Sequence, residues 1–294
     1  INASENNKNM SYLAKVYDFL IRNNYSRDCV IFGVGGGITC DMTGFIASTF
    51  LRGVDFVLVP TTLLSQVDAS IGGKTGVNHK GFKNMIGTFN QPVQVIIDTK
   101  FLKSLSKLEI QCGLMEVIKH GLISDRVFFV WLENNLKQIL SLKPKFIERA
   151  IKRSIEIKAD VVSKDEKENG LRAILNFGHT FGHALETIGN NKLYTHGEAV
   201  ALGMLAATKL SESISDLDPK VFDRVHSTIK NTGIKVKLKK KIFPKKLIKL
   251  MQSDKKKNNS QLKFILLEKI GKAKIKSVSN EVAIENAIKN SLFY

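Results

Sequence analysis

Apolar runs and helical periodicity in the N-terminal third of the chain predict alternating helices and strands. Apolar positions recur at helical spacing over residues 9–22, which predicts an amphipathic helix, and residues 38–50 predict a second helix. Short apolar runs bounded by turn-forming residues predict a buried strand at 29–34 and two further strands at 55–60 and 93–98. This order of elements is typical of an α/β unit.

After residue 98 the pattern changes to helical periodicity. Strand patterns are absent over a long stretch, and helices are predicted at residues 107–123, 128–142, 145–162, 174–188, 199–210 and 220–232. Residues 262–267 and 273–278 predict a short hairpin around Gly271, followed by a helix at 281–289. The chain therefore divides near Ser104 into an α/β front half and a mostly helical back half.

Length and composition indicate a globular protein. The chain has 294 residues, enough to bury a large core and to form two domains. No apolar run is long enough to span a bilayer, and no signal-peptide pattern is found. Cys29, Cys40 and Cys112 form no CxxC motif, so we expect free thiols and a cytoplasmic location.

The net charge of +18 adds information about partners. Much of it lies in lysine-rich runs at residues 235–246 and 255–257, and such runs are usually solvated surface. A nucleic-acid-binding role is disfavoured because there are no interleaved aromatic residues, no zinc-finger spacing and no RNA-recognition motif. A basic protein also attracts small substrates that carry several negative charges.

A glycine-rich turn is the first candidate for chemistry. The residues Gly33-Val-Gly-Gly-Gly37 follow a predicted strand and precede a predicted helix, an arrangement that binds phosphate through backbone N–H groups. The pattern is GxGGG and not GxGxxG, so a tight turn with close helix packing is an equal alternative. Residues 72–75 (GGKT) are similar to the end of a P-loop, but Asp68 stands where its first glycine is required, which excludes that motif.

Three histidines form the second candidate. His179 and His183 are four residues apart, so they share one face of a predicted helix, and His196 precedes the next helix. Two imidazoles from neighbouring helices are typical of a catalytic zinc site, which needs a third protein ligand and one open position. The HxxxH pair lacks the glutamate of HExxH, which disfavours a peptidase, and a structural role remains an equal alternative.

Many ordered sequence blocks show a resemblance that covers essentially the whole chain. The blocks are GGGITCDMTGF, LRGVDFVLVPTTLLSQVDASIGGKTGVN, KNMIG, MEVIKHGLI, LRAILNFGHTFGHALE, HGEAVALGM and SDKK. In them the chain resembles the 3-dehydroquinate synthase family of sugar-phosphate cyclases. The resemblance implies a Rossmann-like NAD-binding α/β domain over residues 1–104 and a mostly α-helical metal- and substrate-binding domain over residues 105–294.

The resemblance also implies which side chains form the site. A single Zn²⁺ or Co²⁺ ion would be held by Glu116, His179 and His196, while His183 would be catalytic and not a ligand. The positions that match the family's NAD contacts are Glu5, Lys8, Gly35, Gly36, Gly37, Asp41, Thr61, Thr62, Asp68, Ala69, Lys74 and Lys83. The positions that match its catalytic and substrate-lining residues are His183, Lys74, Lys83, Lys119, Lys158, Arg172, Asn176, Asn84, Arg52, Lys255 and Lys256.

Some of these roles are more specific. By resemblance, Lys158 and Arg172 would bind the substrate carboxylate. Asn84, Asn176, Lys74 and His183 would face its phosphate, joined by one lysine of the 255–256 pair. Arg52 matches an arginine that reaches the neighbouring subunit's site, which implies a homodimer.

The implied reaction converts the sugar acid phosphate 3-deoxy-D-arabino-heptulosonate 7-phosphate to 3-dehydroquinate. NAD first oxidises a carbinol, phosphate then leaves by elimination, the hydride returns, and an intramolecular aldol step closes the carbocycle. Two alternatives stay open: a different sugar-phosphate cyclase, or a metal-dependent glycerol or alcohol dehydrogenase of similar fold.

The chain departs from the family pattern in two places. The usual Pro-Leu-Gly is replaced by Lys80-Gly81-Phe82, directly before Lys83. The strand–helix–strand unit that opens family members does not precede Glu5 here. We therefore expect this chain either to bind NAD more weakly than a version extended to a methionine start or to fold poorly.

Overall fold

The computed structural model describes residues 2–189, 193–255 and 261–293. The chain forms two compact units, Ile1–Ile110 and Gln111–Tyr294, so the division lies a few residues beyond Ser104. Helix α3 (Lys107–Ser124) spans the division. No described helix is both long and apolar enough to cross a lipid bilayer.

Unit 1 is built on a parallel sheet with the order β1-β2-β5. Its elements are α1 (Met10–Arg22), β1 (Val30–Gly35), α2 (Gly37–Thr49), β2 (Asp55–Pro60), β3 (Lys74–His79), β4 (Phe82–Phe89) and β5 (Gln94–Val95). Strands β1 and β2 pair from Val30 opposite Asp55 to Gly35 opposite Pro60, so their carboxyl ends lie side by side. Helix α2 packs on this sheet, and its buried side chains, among them Met42 and Phe45, form the core of the unit.

The prediction that strand β1 is buried was wrong. Val30, Phe32 and Val34 are 45%, 61% and 56% exposed, whereas Gly33 between them is buried. Side chains alternate between the two faces of a strand, and α2 covers only one of these faces. The strand predicted at 93–98 is also shorter than expected, since only Gln94 and Val95 pair with β2.

The hairpin of β3 and β4 was not predicted. Its sequence is rich in glycine, lysine and asparagine, which strands generally avoid. Two facing glycines explain how the strands approach closely, because a Cβ atom on Gly87 would lie 2.1 Å from the carbonyl oxygen of Thr75. The Thr75 and Thr88 hydroxyls lie 2.8 Å apart across the pair. Close backbone approach at the two glycines thus determines this hairpin more than burial of apolar side chains does.

Unit 2 is mostly helical, as predicted. Its further elements are α4 (Arg126–Leu140), α5 (Pro144–Lys164), α6 (His179–Ile188), α7 (His196–Ser215), α8 (Pro219–Asn231), α9 (Pro244–Lys255), β6 (Leu262–Lys269), β7 (Lys272–Val278) and α10 (Glu281–Leu292). The antiparallel hairpin β6–β7 turns at Gly271, which has a φ of +85°. Helix α9 was missed because its lysine-rich sequence indicated a solvated surface.

Helices α6 and α7 pack with their backbones nearly in contact. A Cβ atom on Gly203 of α7 would lie 2.0 Å from the carbonyl oxygen of Gly178, and one on Gly182 of α6 would lie 3.1 Å from that of Ala199. Most of α7 is buried, including its long apolar run from Ala199 to Ala207. Small residues at the contact therefore let the two helices that carry the histidines approach closely.

Asp125 links two helices of unit 2. Its carboxylate caps α4 by accepting a hydrogen bond from Phe128 N at 2.9 Å, and it accepts another from Arg153 Nε on α5 at 2.8 Å. Burial raises the pKa of this carboxyl, but the Phe128 N–H and the Arg153 guanidinium lower it more, so the net shift is downward. A lowered pKa means that the charged form stabilises the fold above about pH 4 and that this contribution disappears as the pH falls further.

Two substitutions separate the cap from the charge. At pH 7 we expect Asp125→Ala to lower the free energy of unfolding by about 1–2 kcal/mol, because cap and ion pair are both lost. Asp125→Asn keeps the cap and should cost only about 0.2–1 kcal/mol, since Arg153 is partly exposed. Urea unfolding between pH 7 and pH 3 measures the free energy of unfolding of both variants. The gap in this free energy between wild type and Asp125→Asn should close below about pH 4. A gap that stays constant with pH would contradict this account.

Candidate active site

Glu116, His179 and His196 come together in unit 2. Each residue offers one nitrogen or oxygen atom, and these three atoms all lie within 4.8 Å of one another. His196 Nε2 is 3.3 Å, and His179 Nε2 is 3.8 Å, from Glu116 Oε1. The ring centroids of the two histidines are 5.4 Å apart. Three separate helices therefore supply one side chain each to a single cluster.

Local sequence explains where the two histidines stand. The histidine helix does not begin at residue 174 as predicted, because Leu171–Asn176 forms a 3₁₀ helix and Gly178 takes a left-handed φ of +81°. Helix α6 therefore starts at His179. Helix α7 starts at His196 because Thr195 and Glu198 form a capping box, in which Thr195 N donates to Glu198 Oε2 at 2.8 Å.

Glu116 is fully buried, and its carboxylate forms an ion pair with the ammonium of Lys119, one turn along α3. Burial raises the pKa of Glu116, but Lys119 and the two histidines outweigh it and hold that pKa well below its usual range. Burial, with a smaller effect of Lys119, lowers the pKa of His179 to about 3. Burial also opposes the charged form of His196, yet Glu116 and Glu186 raise its pKa to about 10.

The cluster has the donors that a divalent transition-metal ion requires. Two imidazoles and one carboxylate form the three-ligand set of catalytic zinc sites, in which a fourth position is open. Both carboxylate oxygens of Glu116 are buried and accept no well-aligned hydrogen bond from the described residues. A cation held among these three side chains would add a positive charge beside the buried Glu116 carboxylate.

His183 lies beside this cluster. Its ring packs edge-on against His179, with the centroids 5.4 Å apart, and its side chain is exposed. Among the described residues, His179 and His196 belong to a group that could hold a metal ion, and His183 does not belong to that group. The role of His183 as a reacting group stays a prediction.

Two buried cations lie on α5 and on the 3₁₀ segment Leu171–Asn176. Lys158 and Arg172 are 6% and 2% exposed, and burial of two such cations is unusual. Two hydrogen bonds orient Arg172. Its backbone N–H donates to Asp165 Oδ2 at 2.9 Å, and its guanidinium donates to the Glu166 carbonyl. The arrangement suits the binding of an anion.

Sequence reasoning missed Glu168, which contacts a site residue that it did identify. Asn176 Nδ2 donates to Glu168 Oε1 at 2.6 Å, and Glu168 has a left-handed φ of +58°. The sequence carried no signal for this contact, because the left-handed conformation of Glu168 is visible only in the structure. Lys255 ends helix α9, and Lys256 lies outside the described residues.

In unit 1 the glycine-rich turn lies where parallel sheets bind anions. Gly36 precedes the first turn of α2 at the carboxyl end of β1, and no side chain caps this helix. Thr61 N donates to Gly35 O at 2.9 Å, which joins the ends of β1 and β2. Cβ atoms on Gly36 and Gly37 would lie 3.2 Å from Thr62 and Ala69. The backbone N–H groups at this helix start suit a phosphate.

Side chains from three parts of unit 1 are in contact: Lys8, Asp41 and Asn84. Lys8 is buried, and its Nζ lies 2.5 Å from both Asp41 Oδ2 and Asn84 Oδ1. Burial raises the pKa of Asp41, Lys8 opposes this shift, and Asp68 and Glu5 add to it.

The remaining predicted residues of unit 1 lie on the hairpin and near α2. Lys74 opens β3, Lys83 lies on β4, and exposed Arg52 ends the 3₁₀ turn after α2 with a φ of +68°. Glu5 Oε1 accepts a hydrogen bond from Asn78 at 2.7 Å.

Comparison with known proteins gives consistent results for both parts of the chain. Residues 1–112 match the family described as 3-dehydroquinate synthase N-terminal, and residues 113–257 match 3-dehydroquinate synthase C-terminal. The 3-dehydroquinate synthase of Nitrosomonas europaea is 46% identical over 92% of this chain and 73% of its own length. That of Pelagibacter ubique is 45% identical over 99% of this chain and 80% of its own length.

Solved structures show the same fold. A 2-epi-5-epi-valiolone synthase from Streptomyces hygroscopicus subsp. jinggangensis, with NAD⁺ and Zn²⁺ bound, has a TM-score of 0.91 and 27% identity over 99% of this chain and 81% of its own. A 2-deoxy-scyllo-inosose synthase complexed with carbaglucose-6-phosphate, NAD⁺ and Co²⁺ has a TM-score of 0.87 and 27% identity, covering 98% and 81%. A glycerol dehydrogenase from Schizosaccharomyces pombe shares the fold alone, at 16% identity over 97% and 73% with a TM-score of 0.66.

The fold, together with the cluster of two imidazoles and one carboxylate, places the protein in the structural class of the sugar-phosphate cyclases. Within that class, the chain belongs to the 3-dehydroquinate synthase family. The fold class and the family predicted from the sequence are thereby confirmed.

Proposed function

We propose that the protein is a 3-dehydroquinate synthase, a carbon–oxygen lyase that releases phosphate from 3-deoxy-D-arabino-heptulosonate 7-phosphate and forms 3-dehydroquinate. The observation that carries the proposal is the convergence of Glu116, His179 and His196 in unit 2, with buried cations in the same unit. Its relatives with that name, at 43–46% identity over 91–99% of the chain, support it.

Unit 2 would hold one Zn²⁺ or Co²⁺ ion through these three side chains. A divalent ion there supplies Lewis-acid chemistry, since it polarises an oxygen of the substrate and lowers the cost of removing its proton. Glu116 contributes a negative charge that Lys119 balances. The two histidines would contribute neutral imidazoles, because only a ring nitrogen without a proton can bind a metal.

Unit 1 would bind NAD, which supplies a reversible hydride acceptor. The N–H groups of Gly36 and Gly37 at the start of α2 would meet its pyrophosphate. Thr61 and Thr62 lie beside this turn. The remaining contacts proposed for the cofactor, on the family resemblance, are Glu5, Lys8, Gly35, Asp41, Asp68, Ala69, Lys74 and Lys83.

The buried cations of unit 2 favour a substrate that carries a carboxylate. On the family resemblance we assign Lys158 and Arg172 to this group; both cations are buried, and a guanidinium can bind a carboxylate through two parallel hydrogen bonds. Asn176 and His183 would contact the substrate phosphate, and Lys119 would line the site. On resemblance, Lys74, Asn84 and one of Lys255 and Lys256 add to the phosphate contacts.

We extend the proposal to the assembly and location of the protein. Arg52 is exposed at the end of a 3₁₀ turn and would reach the site of a second subunit in a homodimer. All three cysteines are free, which suits a reducing cytoplasm.

The proposal is tested by phosphate release from the heptulosonate phosphate in the presence of NAD and Zn²⁺ or Co²⁺. We expect stoichiometric phosphate and 3-dehydroquinate, no net NADH, and loss of turnover when a chelator removes the metal. The same assay with heptulose phosphates that lack a carboxylate should give little product. Net accumulation of NADH would instead indicate a dehydrogenase, and preference for a substrate without a carboxylate would indicate a different cyclase.

A further inference from the structure

Glu186 lies on the side of the His196 ring that faces away from Glu116. Its Oε1 is 3.7 Å from His196 Nδ1, while Nε2 of the same ring lies 3.3 Å from Glu116 Oε1. The imidazole thus has a carboxylate near each of its two nitrogens. The Glu186 side chain is only 10% exposed, so solvent screens this contact weakly.

The position of Glu186 follows from its place on helix α6. It lies seven residues after His179, and helical residues at this spacing share one face. Helix α6 therefore supplies His179, a member of the cluster, at its first residue. Two turns later it supplies Glu186, whose carboxylate contacts His196 on α7. The close packing of α6 on α7 keeps the distance between them short.

We propose that Glu186 is a positioning residue for His196. Its carboxylate, 3.7 Å from Nδ1, favours the tautomer with the proton on that nitrogen, which leaves the Nε2 lone pair directed towards Glu116 and available to a metal ion. A neutral imidazole carries one proton, and only the nitrogen without it can bind a metal. A carboxylate on the other nitrogen selects the required tautomer, fixes the ring orientation and increases the basicity of the ligating nitrogen. The inference rests on the proposed function, because it takes the cluster as a metal site.

A merely structural role for Glu186 has a different consequence. An ion pair that only joins α6 to α7 stabilises the fold with or without metal. Its loss would then lower the free energy of unfolding of the metal-free chain, while the folded protein would bind metal as before. Metal affinity and the tautomer of His196 therefore distinguish the two roles.

The experiment measures the Zn²⁺ affinity of the full chain by competition with a chromophoric chelator, under conditions where circular dichroism shows each variant folded. Glu186→Gln keeps an acceptor oxygen but removes the charge, and Glu186→Leu removes both. We expect the dissociation constant for Zn²⁺ to rise about 10-fold for Glu186→Gln and up to about 100-fold for Glu186→Leu. The matched control is Glu212→Gln, which neutralises a carboxylate on α7 paired with Lys209 at 2.8 Å and should bind Zn²⁺ like wild type.

A second readout follows the ring of His196 directly. Nitrogen NMR of the Zn²⁺-loaded chain should show Nδ1 protonated in wild type and a shifted ring signal in Glu186→Leu. Zn²⁺ affinities within about twofold of wild type for both Glu186 variants would overturn the proposal, whatever their stability. Failure of the wild-type chain to bind Zn²⁺ would overturn it together with the proposed metal site. Zn²⁺ binding without phosphate release would overturn the proposed function alone.

Discussion

Replacing His179 with alanine is expected to abolish metal binding and to reduce phosphate release at least about a thousandfold. A bound divalent ion contributes several kcal/mol to stabilising a developing negative charge, and each 1.36 kcal/mol is about tenfold in rate. With one of the three proposed ligands removed, only Glu116 and His196 would remain to hold the ion. Metal content by elemental analysis and the rate of phosphate release at saturating NAD measure the effect.

The control for this substitution is His226→Ala. His226 lies on α8, where its ring stacks near Phe222, and it belongs to no metal-binding group of the described residues. It should retain full metal content and activity. Retention of one equivalent of metal by His179→Ala, with activity within about tenfold of wild type, would contradict the assignment of His179 as a ligand.

The second large effect concerns the contact between the two histidine helices. Gly203→Ala should lower the free energy of unfolding by about 3 kcal/mol or more, at the upper end of the cost of overpacking. The added Cβ would lie 2.0 Å from the carbonyl oxygen of Gly178, a backbone atom that no side-chain rotation can move away. Relief requires α6 and α7 to separate, which would also displace His179 from His196. We therefore expect reduced Zn²⁺ affinity in the fraction that folds.

Chemical unfolding and Zn²⁺ competition of the same samples test this expectation. Ser213→Ala, an exposed change on the same helix, is the matched control and should alter stability by less than about 0.5 kcal/mol. Unchanged stability of Gly203→Ala would mean that the helices can separate at no cost, and would contradict the close packing described above.

Much of the secondary structure was predictable because the elements are locally self-consistent. Strand β2 has the bounds that its apolar run predicted, and the Gly271 turn lies between two strands at the predicted place. Helices α1, α3, α5 and α10 differ from the predicted bounds by a few residues at most. In each case the signals that predict the element, which are the spacing of its apolar residues and the turn-forming residues beside it, lie within one segment of the chain.

Other features were not predictable because they depend on partners distant in sequence. The β3–β4 hairpin depends on backbone contact at Gly76 and Gly87, which hydrophobic periodicity does not report. The exposure of Phe32 on β1 depends on which elements cover the sheet and not on the apolar character of the strand. The contact of Glu186 with His196 was not predicted, because it exists only after α6 packs on α7.

By itself, the sequence determined the type and approximate bounds of most elements and the pair of histidines that suggested a metal. Through family resemblance it also named Glu116 as the third ligand. Only the tertiary structure decided that Glu116 is buried against Lys119 and that two carboxylates flank His196. The physical reason is that periodicity is a property of one segment, whereas burial and charge pairing are properties of side chains that folding brings together.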